Sequence, residues 1–437
     1  MNDAALPTDH PLRRSLAHEV HARPHEALRA PTRATYLVVL VDAADRERER
    51  GHVASLCEDR GATPPAKDAI HFSADLGAFR LRWERHNEFS TYTFIAPGVN
   101  PEPFAQPAID LVPATWREAI PGNLLVATHA ELHEKRGGFP PASEVSAAFG
   151  GRYVVGSAVG GGAAAAYTDF RIHEDGFSRF LVIDQSLSRY QTGRTIQRLF
   201  EIEAYRMMAL LALPLAREIG PALRDMETEL GALAGELAAS GVAEEATLEH
   251  LTGLAARVES VIGRARFRFG ATRAYHELVR SRIAELREVR LPGLQTLEEF
   301  MSRRLAPAIA TVESTARRLV ELSERVSQAS ALLSTRVDVA RERQNQQLLA
   351  SMDRRAKLQL RLQETVEGLS VAAITYYVVG LVTYAAKGLK AGGMHLDTDV
   401  VSAVAIPVVA ILAALGVRHV RKRIAREQTA RTTAGRK

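Results

Sequence analysis

The sequence predicts an α+β domain, mostly antiparallel sheet with helices packed on it, followed by a long helical stalk and a two-helix C-terminal transmembrane hairpin. Three observations predict it. Short β-branched or alternating segments punctuated by turns fill residues 1–190, helical periodicity runs on from Gln191, and two uncharged runs, Gly368–Ala386 and Val400–Val417, stand near the end. The expected partition is therefore 1–190 for the α+β domain, 191–367 for long helices and stalk, 368–417 for the hairpin and 418–437 for a basic tail. Hydrophobic residues at 46% and charged residues at 24% are ordinary for a globular protein, so composition by itself conceals the membrane.

The first part opens with TYLVVLV (35–41), a buried strand by its β-branched run, and a charged helix, ADRERERGHVASLCEDRG, that closes on Gly61. In AFRLRWERHNEFSTYTFIA, Phe79, Leu81 and Trp83 alternate with Arg80, Arg82 and Glu84, the period of a half-buried strand, and His86-Asn87 supplies a hairpin turn. Further strands are NLLVATHAEL, GRYVVGSAV, AAAYTDFRI and FSRFLVIDQ. Tight turns between successive strands imply antiparallel pairing.

The helical part begins with Thr195–Ala239, interrupted at Pro214 and near Gly220-Pro221. Its segment MMALLALPLA is too short to span a bilayer and reads as a buried packing surface. A second helix covers 245–290, and Thr296 with Glu299 forms a capping box that opens the third. From Pro307 no Pro or Gly intervenes until Gly368, and the pattern continues to Lys387, which at about 1.5 Å per residue makes a rod of about 120 Å. Val312, Leu319, Val326, Leu333 and Ala340 recur every seven residues as a coiled-coil seam. Its companions Ala316, Ser323, Ser330 and Val337 are small or polar, so the seam needs other helices or neighbouring subunits against it.

Each uncharged run approaches the roughly 20 residues that a helix needs to cross hydrocarbon, and the loop 387–399 between them is too short to hold a domain. The tail after the second span carries a net charge of +7 within a chain total of +5, which leaves about −2 for the rest. Basic flanks stay cytoplasmic, which predicts a bacterial inner membrane location with both termini inside and the short loop outside. Arg418, Arg421, Lys422, Arg423 and Arg426 then set topology and meet anionic lipid headgroups. MNDAALPTDHPLRRSL lacks the apolar core of a secretory signal, and the single Cys57 excludes internal disulfides.

Chemistry is sparse. His18 and His21 stand one helical turn apart and form a weak metal candidate, against Arg23-Pro24 and nearby arginines; the alternative is a cap on the sheet through Leu12, Leu16 and Val20. Trp83–Glu88 gathers acid, base and aromatic groups at one hairpin tip. No phosphate loop, GxGxxG, HExxH, CxxC or GxSxG occurs, so neither an enzyme nor a cofactor is expected. Arg264, Arg266, Arg268 and Arg273, with Phe267, Phe269 and Tyr275, fit a basic face over an apolar stripe better than a nucleic-acid surface. Gln359, Gln363, Glu367 and Ser370 share one face of the membrane-entering helix, continued by Ile374, Tyr377, Leu381 and Tyr384. Such a stripe either packs on another helix or lines the entrance to a pore, and a pore would require a homo-oligomer.

HEVHARP (18–24), WERHNEFSTYTF (83–94), GRTIQRLFEIEAYRMMALLALP (193–214) and LQLRLQETVEGLSVAAITYYVVGL (358–381) resemble a bacterial family of membrane-anchored proteins, the domain of unknown function 3422 family. That resemblance implies a layout and no activity. The layout also resembles CorA-type divalent-cation channels, whose Gly-Met-Asn motif is replaced here by Gly393-Met394-His395 between Lys390 and the acidic pair Asp397 and Asp399. The expectation is a membrane-anchored, homo-oligomeric scaffold or sensor without enzymatic activity; the alternative is a CorA-like cation transporter lacking the usual filter.

Overall fold

The structure, a computed structural model, describes residues 9–14, 16–17, 25–135, 137–238, 244–391 and 397–434, except for the side chains of 237–238, 244 and 421–434. Two compact units divide the chain, Met1–Ala331 and Leu332–Lys437.

The first unit is built on a nine-stranded mixed sheet. Its strands are β1 (Thr32–Leu40), β2 (His71–Asp75), β3 (Arg80–Arg85), β4 (Phe89–Pro97), β5 (Asn123–Glu134), β6 (Val155–Val159), β7 (Ala164–Thr168), β8 (Ser178–Asp184) and β9 (Val289–Arg290). Their spatial order is β2-β3-β4-β1-β5-β8-β7-β6-β9. Among the described strands only β5 and β8 pair in parallel, so the expectation of a mostly antiparallel sheet holds. The hairpin between β3 and β4 closes at the expected place, with the His86 amide donating to the Phe89 carbonyl at 2.8 Å.

Strand β1 explains its own apolar run. Alternate side chains point to opposite faces, and here both faces are covered. Tyr36 and Val38 enter one core with Phe180, Ile196, Phe200 and Ile283, while Leu37 and Val39 enter another with Leu56, Leu81, Trp83 and Phe94. Helix α1 (Arg46–Asp59) supplies Val53, Leu56 and the buried Cys57 to the second core, and two short helices, α2 (Ala114–Glu118) and α3 (Ala142–Ala147), follow it. Burial pushes the Cys57 thiol up to about 11, so it behaves as a small apolar residue.

The core continues without a break past residue 190, because α4 (Arg189–Leu210) lies on the sheet. A reciprocal Ser188–Gln191 capping box starts α4 six residues earlier than the apolar period suggests. The chain turns at Leu211, and Pro214 sits in the first turn of helix α5 (Ala212–Ala238), where its missing N–H costs nothing. Met208, Ala209, Ala212 and Ala216 are buried, as expected for a packing surface. Helix α6 (Glu244–Leu286) follows, and the Thr296–Glu299 capping box opens Leu297–Arg304. Strand β9, between these two helices, extends the sheet edge beside β6.

The long helix, Ala306–Ala391, contains 86 residues and passes from the first unit into the second. Within the first unit, Val312, Leu319 and Val326 of the heptad seam are buried inside the single chain. Neighbouring helices are tied to it: Arg318 donates two hydrogen bonds to Glu227 at 3.0 and 2.6 Å, and Ser323 donates to Glu259 at 2.7 Å.

In the second unit, Ala340 and nearly every residue from Asp338 to Ser370 is exposed. The last helix is Thr398–Ala434. Two helices are long and apolar enough to cross a membrane, and their apolar side chains face outward: Leu369, Leu381, Val400 and Leu412 are all exposed. A core helix would have buried them.

Candidate functional site

Strand β3 determines the site. Its odd-numbered residues point toward α1. There the carboxylate of Glu49, wholly buried, accepts from Trp83 Nε1 at 2.9 Å and Tyr92 Oη at 3.0 Å, with Arg85 at 3.4 Å. Its even-numbered residues point the other way. Arg82 and Glu84 were expected to face solvent, yet they are 5% and 8% exposed. The reason is α4, which covers that face of the sheet and leaves a cavity of about 240 Å³ between them.

Polar residues from distant segments line this cavity: Glu26, Arg82, Glu84, Gln197, Glu201 and Arg282, with Tyr36, His86, Thr93 and Tyr205. They form a chain of contacts. Arg82 donates to Glu84 at 2.8 Å and to Gln197 at 3.4 Å; Gln197 donates to Glu201 at 2.7 Å; Glu201 accepts from Arg282. Arg282 then reaches Glu285 at 2.8 Å, which also binds Arg198 at 2.8 Å. On the opposite side Glu26 accepts from Ser73 Oγ at 2.6 Å. The apolar wall is Leu28, Phe89, Ile95, Ile196 and Phe200, with Tyr36 stacked on Phe200 at 4.7 Å.

Burial pushes the Tyr36 phenol well above its ordinary range, reinforced by Tyr205, Glu201 and Glu84, so it remains a protonated donor. The pKa of His25, which precedes Glu26 in the chain, is lowered by burial and then by Arg194, Arg82 and Arg198. One group in the cavity wall keeps unused capacity among the described residues: Arg82 Nε is buried without an acceptor, while Glu84 accepts from the other end of the same guanidinium. A buried polar atom left unmatched is costly, so the site suits a polar occupant.

Each residue of the hairpin tip now has a place. Trp83 and Arg85 serve the Glu49 face, Glu84 and His86 line the cavity, and the Asn87 carbonyl accepts from Arg46 at 2.9 Å. Glu88 accepts from Tyr275 at 3.0 Å and from Arg268. Of the arginines on α6, Arg264 pairs with Glu218 at 3.0 Å and Arg273 approaches Glu313 at 3.9 Å, so much of that basic face is already matched by carboxylates.

The other residues singled out from sequence are not gathered into a site. His18 and His21 lie outside the described residues, and among the described residues no group of three or more metal-ligating side chains occurs. Leu12 and Leu16 are 54% and 61% exposed, which corrects the reading of that stripe as a cap on the sheet; α4 already occupies the place. Gln359, Gln363, Ser370, Tyr377 and Tyr384 are exposed, and Glu367 is half-buried. Gln363 lies 3.4 Å from Glu367, and Ser370 donates to its own helix at Val366 O at 2.9 Å, so its hydroxyl needs no second helix. The two apolar helices instead meet through Thr383 and Ser402, whose hydroxyl oxygens are 2.9 Å apart. Gly368 and Gly380 line an open groove, since a Cβ on either would touch nothing within 4 Å. Asp397, Asp399 and Arg418 are exposed, whereas the side chains of Arg421, Lys422, Arg423 and Arg426 lie outside the described set.

Fold and site together define a two-part protein, an α+β unit with an internal polar cavity and a second unit carrying two apolar helices of membrane-crossing length. The chain belongs to the family described as protein of unknown function DUF3422, whose model matches residues 8–424 and so takes in both parts. No curated protein matches the sequence.

Two of the four segments that carried the resemblance border the cavity. WERHNEFSTYTF supplies Glu84, His86, Phe89 and Thr93, GRTIQRLFEIEAY supplies Gly193, Gln197, Glu201 and Tyr205, and HEVHARP ends two residues before Glu26. Sequence reasoning missed this. The signal was present: Gly193, Gln197, Glu201 and Tyr205 recur every four residues, a small and polar stripe on an otherwise apolar helix.

Proposed function

We propose that this protein is a membrane-anchored sensor in which the α+β unit holds a small polar ligand and the C-terminal helices insert into the bacterial inner membrane. The observation that carries the reading is the internal cavity with unmatched polar capacity, in a chain that also bears two exposed apolar helices. Scaffolding through assembly is the companion role. A homo-oligomer would cover the exposed Asp338–Ser370 stretch, and the basic tail would contact anionic lipid with both termini cytoplasmic.

The anchoring part is tested by extraction of membranes from producing cells with alkaline carbonate. The protein should stay in the pellet and leave only with detergent; release into the carbonate supernatant rejects the anchor. Native mass spectrometry of the detergent-solubilised protein then reads the oligomer, and a monomer rejects the assembly.

A CorA-like transporter is the second reading, favoured by the polar stripe of exposed Gln359 and Gln363 and half-buried Glu367 on the helix that enters the apolar region. It requires divalent-cation flux into liposomes that changes on Glu367→Ala or Asp397→Ala. Flux-free liposomes reject it.

A further inference from the structure

We infer that the cavity between β3, β4 and α4 binds a small zwitterion with an ammonium group, a carboxylate and an aliphatic tail, an α-amino acid of the size of leucine. The inference rests on the sensor reading and supplies its ligand class.

Size sets the first limit. About 240 Å³ lies below the range of drug-sized sites, which favours a compact ligand. Charge sets the second. The lining contains three carboxylates, Glu26, Glu84 and Glu201, against two guanidinium groups, Arg82 and Arg282, so a free anion would add to an existing excess of negative charge. A zwitterion adds none.

Hydrogen-bonding capacity supplies orientation. Arg82 Nε offers a buried donor without an acceptor for a carboxylate, and Glu84, which accepts from the same guanidinium at 2.8 Å, places a carboxylate in the cavity wall for an ammonium group to approach. The two residues are two apart on one strand and share a face, so an acceptor and a donor stand side by side for the two ends of one dipolar head group. Leu28, Ile95, Ile196 and Phe200 form the apolar wall against which an aliphatic tail would be buried. A free polyol would satisfy the same donor and acceptor and leave that wall unused.

The test is calorimetric titration of the full chain in detergent with L-valine, L-leucine and L-methionine, alongside isopentylamine and isovalerate, which keep the tail but carry one charge each. At least one amino acid should bind, and both single-charge analogues should bind at least about tenfold more weakly, because each leaves one buried charged group unmatched. Glu84→Gln should weaken the amino acid by about tenfold or more with an unchanged circular dichroism spectrum. If that variant does not fold, the comparison of leucine with isopentylamine on the natural protein decides. Equal affinity for isopentylamine, or heat from none of the three amino acids, overturns the ligand class. Carbonate extraction is read independently, so failure of the ligand leaves the anchor standing, and failure of the anchor leaves the ligand.

Discussion

The α carbon of Gly193 faces the carbonyl oxygen of Glu26 so closely that a β carbon at position 193 would overlap it. The segment that carries Glu26 to the cavity therefore rests directly on the backbone of α4, and it is pinned there by the Leu28 amide, which donates to the Arg189 carbonyl at 3.0 Å. Glycine is required here by approach and not by its own dihedral angles.

Gly193→Ala is accordingly expected to destabilise the first unit by about 1–3 kcal/mol, because the clash is with backbone and no rotamer relieves it. The midpoint of urea unfolding should fall and ligand affinity at the cavity should fall with it. A variant as stable as the natural protein would show that the Glu26 segment lies elsewhere.

Glu49 braces the opposite face of the sheet. Replacement by Leu strands the Trp83 indole and the Tyr92 hydroxyl and removes the carboxylate beside Arg85, a loss of about 3–5 kcal/mol for breaking a buried charge pair. Burial first, and Glu49 second, hold the Tyr92 phenol far above its ordinary range. Alkaline spectrophotometric titration should show at least two tyrosines, Tyr36 and Tyr92, that ionise only on unfolding, and Glu49→Gln should destabilise less than Glu49→Leu.

His129 sets an acid limit. It is 2% exposed, stacked on Phe177 at 3.9 Å, and its Nδ1 lies 3.0 Å from Thr35 Oγ1. Burial lowers its pKa from 6.5 to about 4. Between those values the unfolded chain takes up a proton that the folded chain refuses, so stability falls as pH drops from about 6.5 toward 4, by about 3 kcal/mol at the lower end. Below pH 4 this contribution to the slope ends. Urea midpoints measured across that window should flatten in His129→Gln; an unaltered slope would assign the acid sensitivity to another group.

The Thr383–Ser402 contact joins the two apolar helices. Side-chain hydrogen bonds between membrane helices couple by about 0.6 kcal/mol on average and at most about 1.7 kcal/mol. A double-mutant cycle with Thr383→Val and Ser402→Ala, read by unfolding in mixed detergent, should fall in that range. Zero coupling would mean that the helices pair along another line.

Much of the fold was legible because it is local. The β-branched run of β1, the alternation along β3, the Thr296–Glu299 box and the two uncharged runs each carry their period or cap within a few residues, and each appears where expected. The break at Leu211 also falls within three residues of Pro214, where an interruption was expected. What could not be read locally was the two-residue strand Val289–Arg290, whose reason to exist is the edge of β6 that it meets.

The sequence by itself determined the element types, the family and the presence of two helices of membrane-crossing length, since periodicity, caps and uninterrupted hydropathy are written in order along the chain. Tertiary structure alone decided that Arg82 and Glu84 are interior residues. Alternation on β3 states that they share a face, but whether water or protein covers it depends on α4, more than a hundred residues away. A cavity assembled from residues 26, 82–84, 193–205 and 282 has no local signature, because its chemistry arises only when those segments are brought within hydrogen-bonding distance.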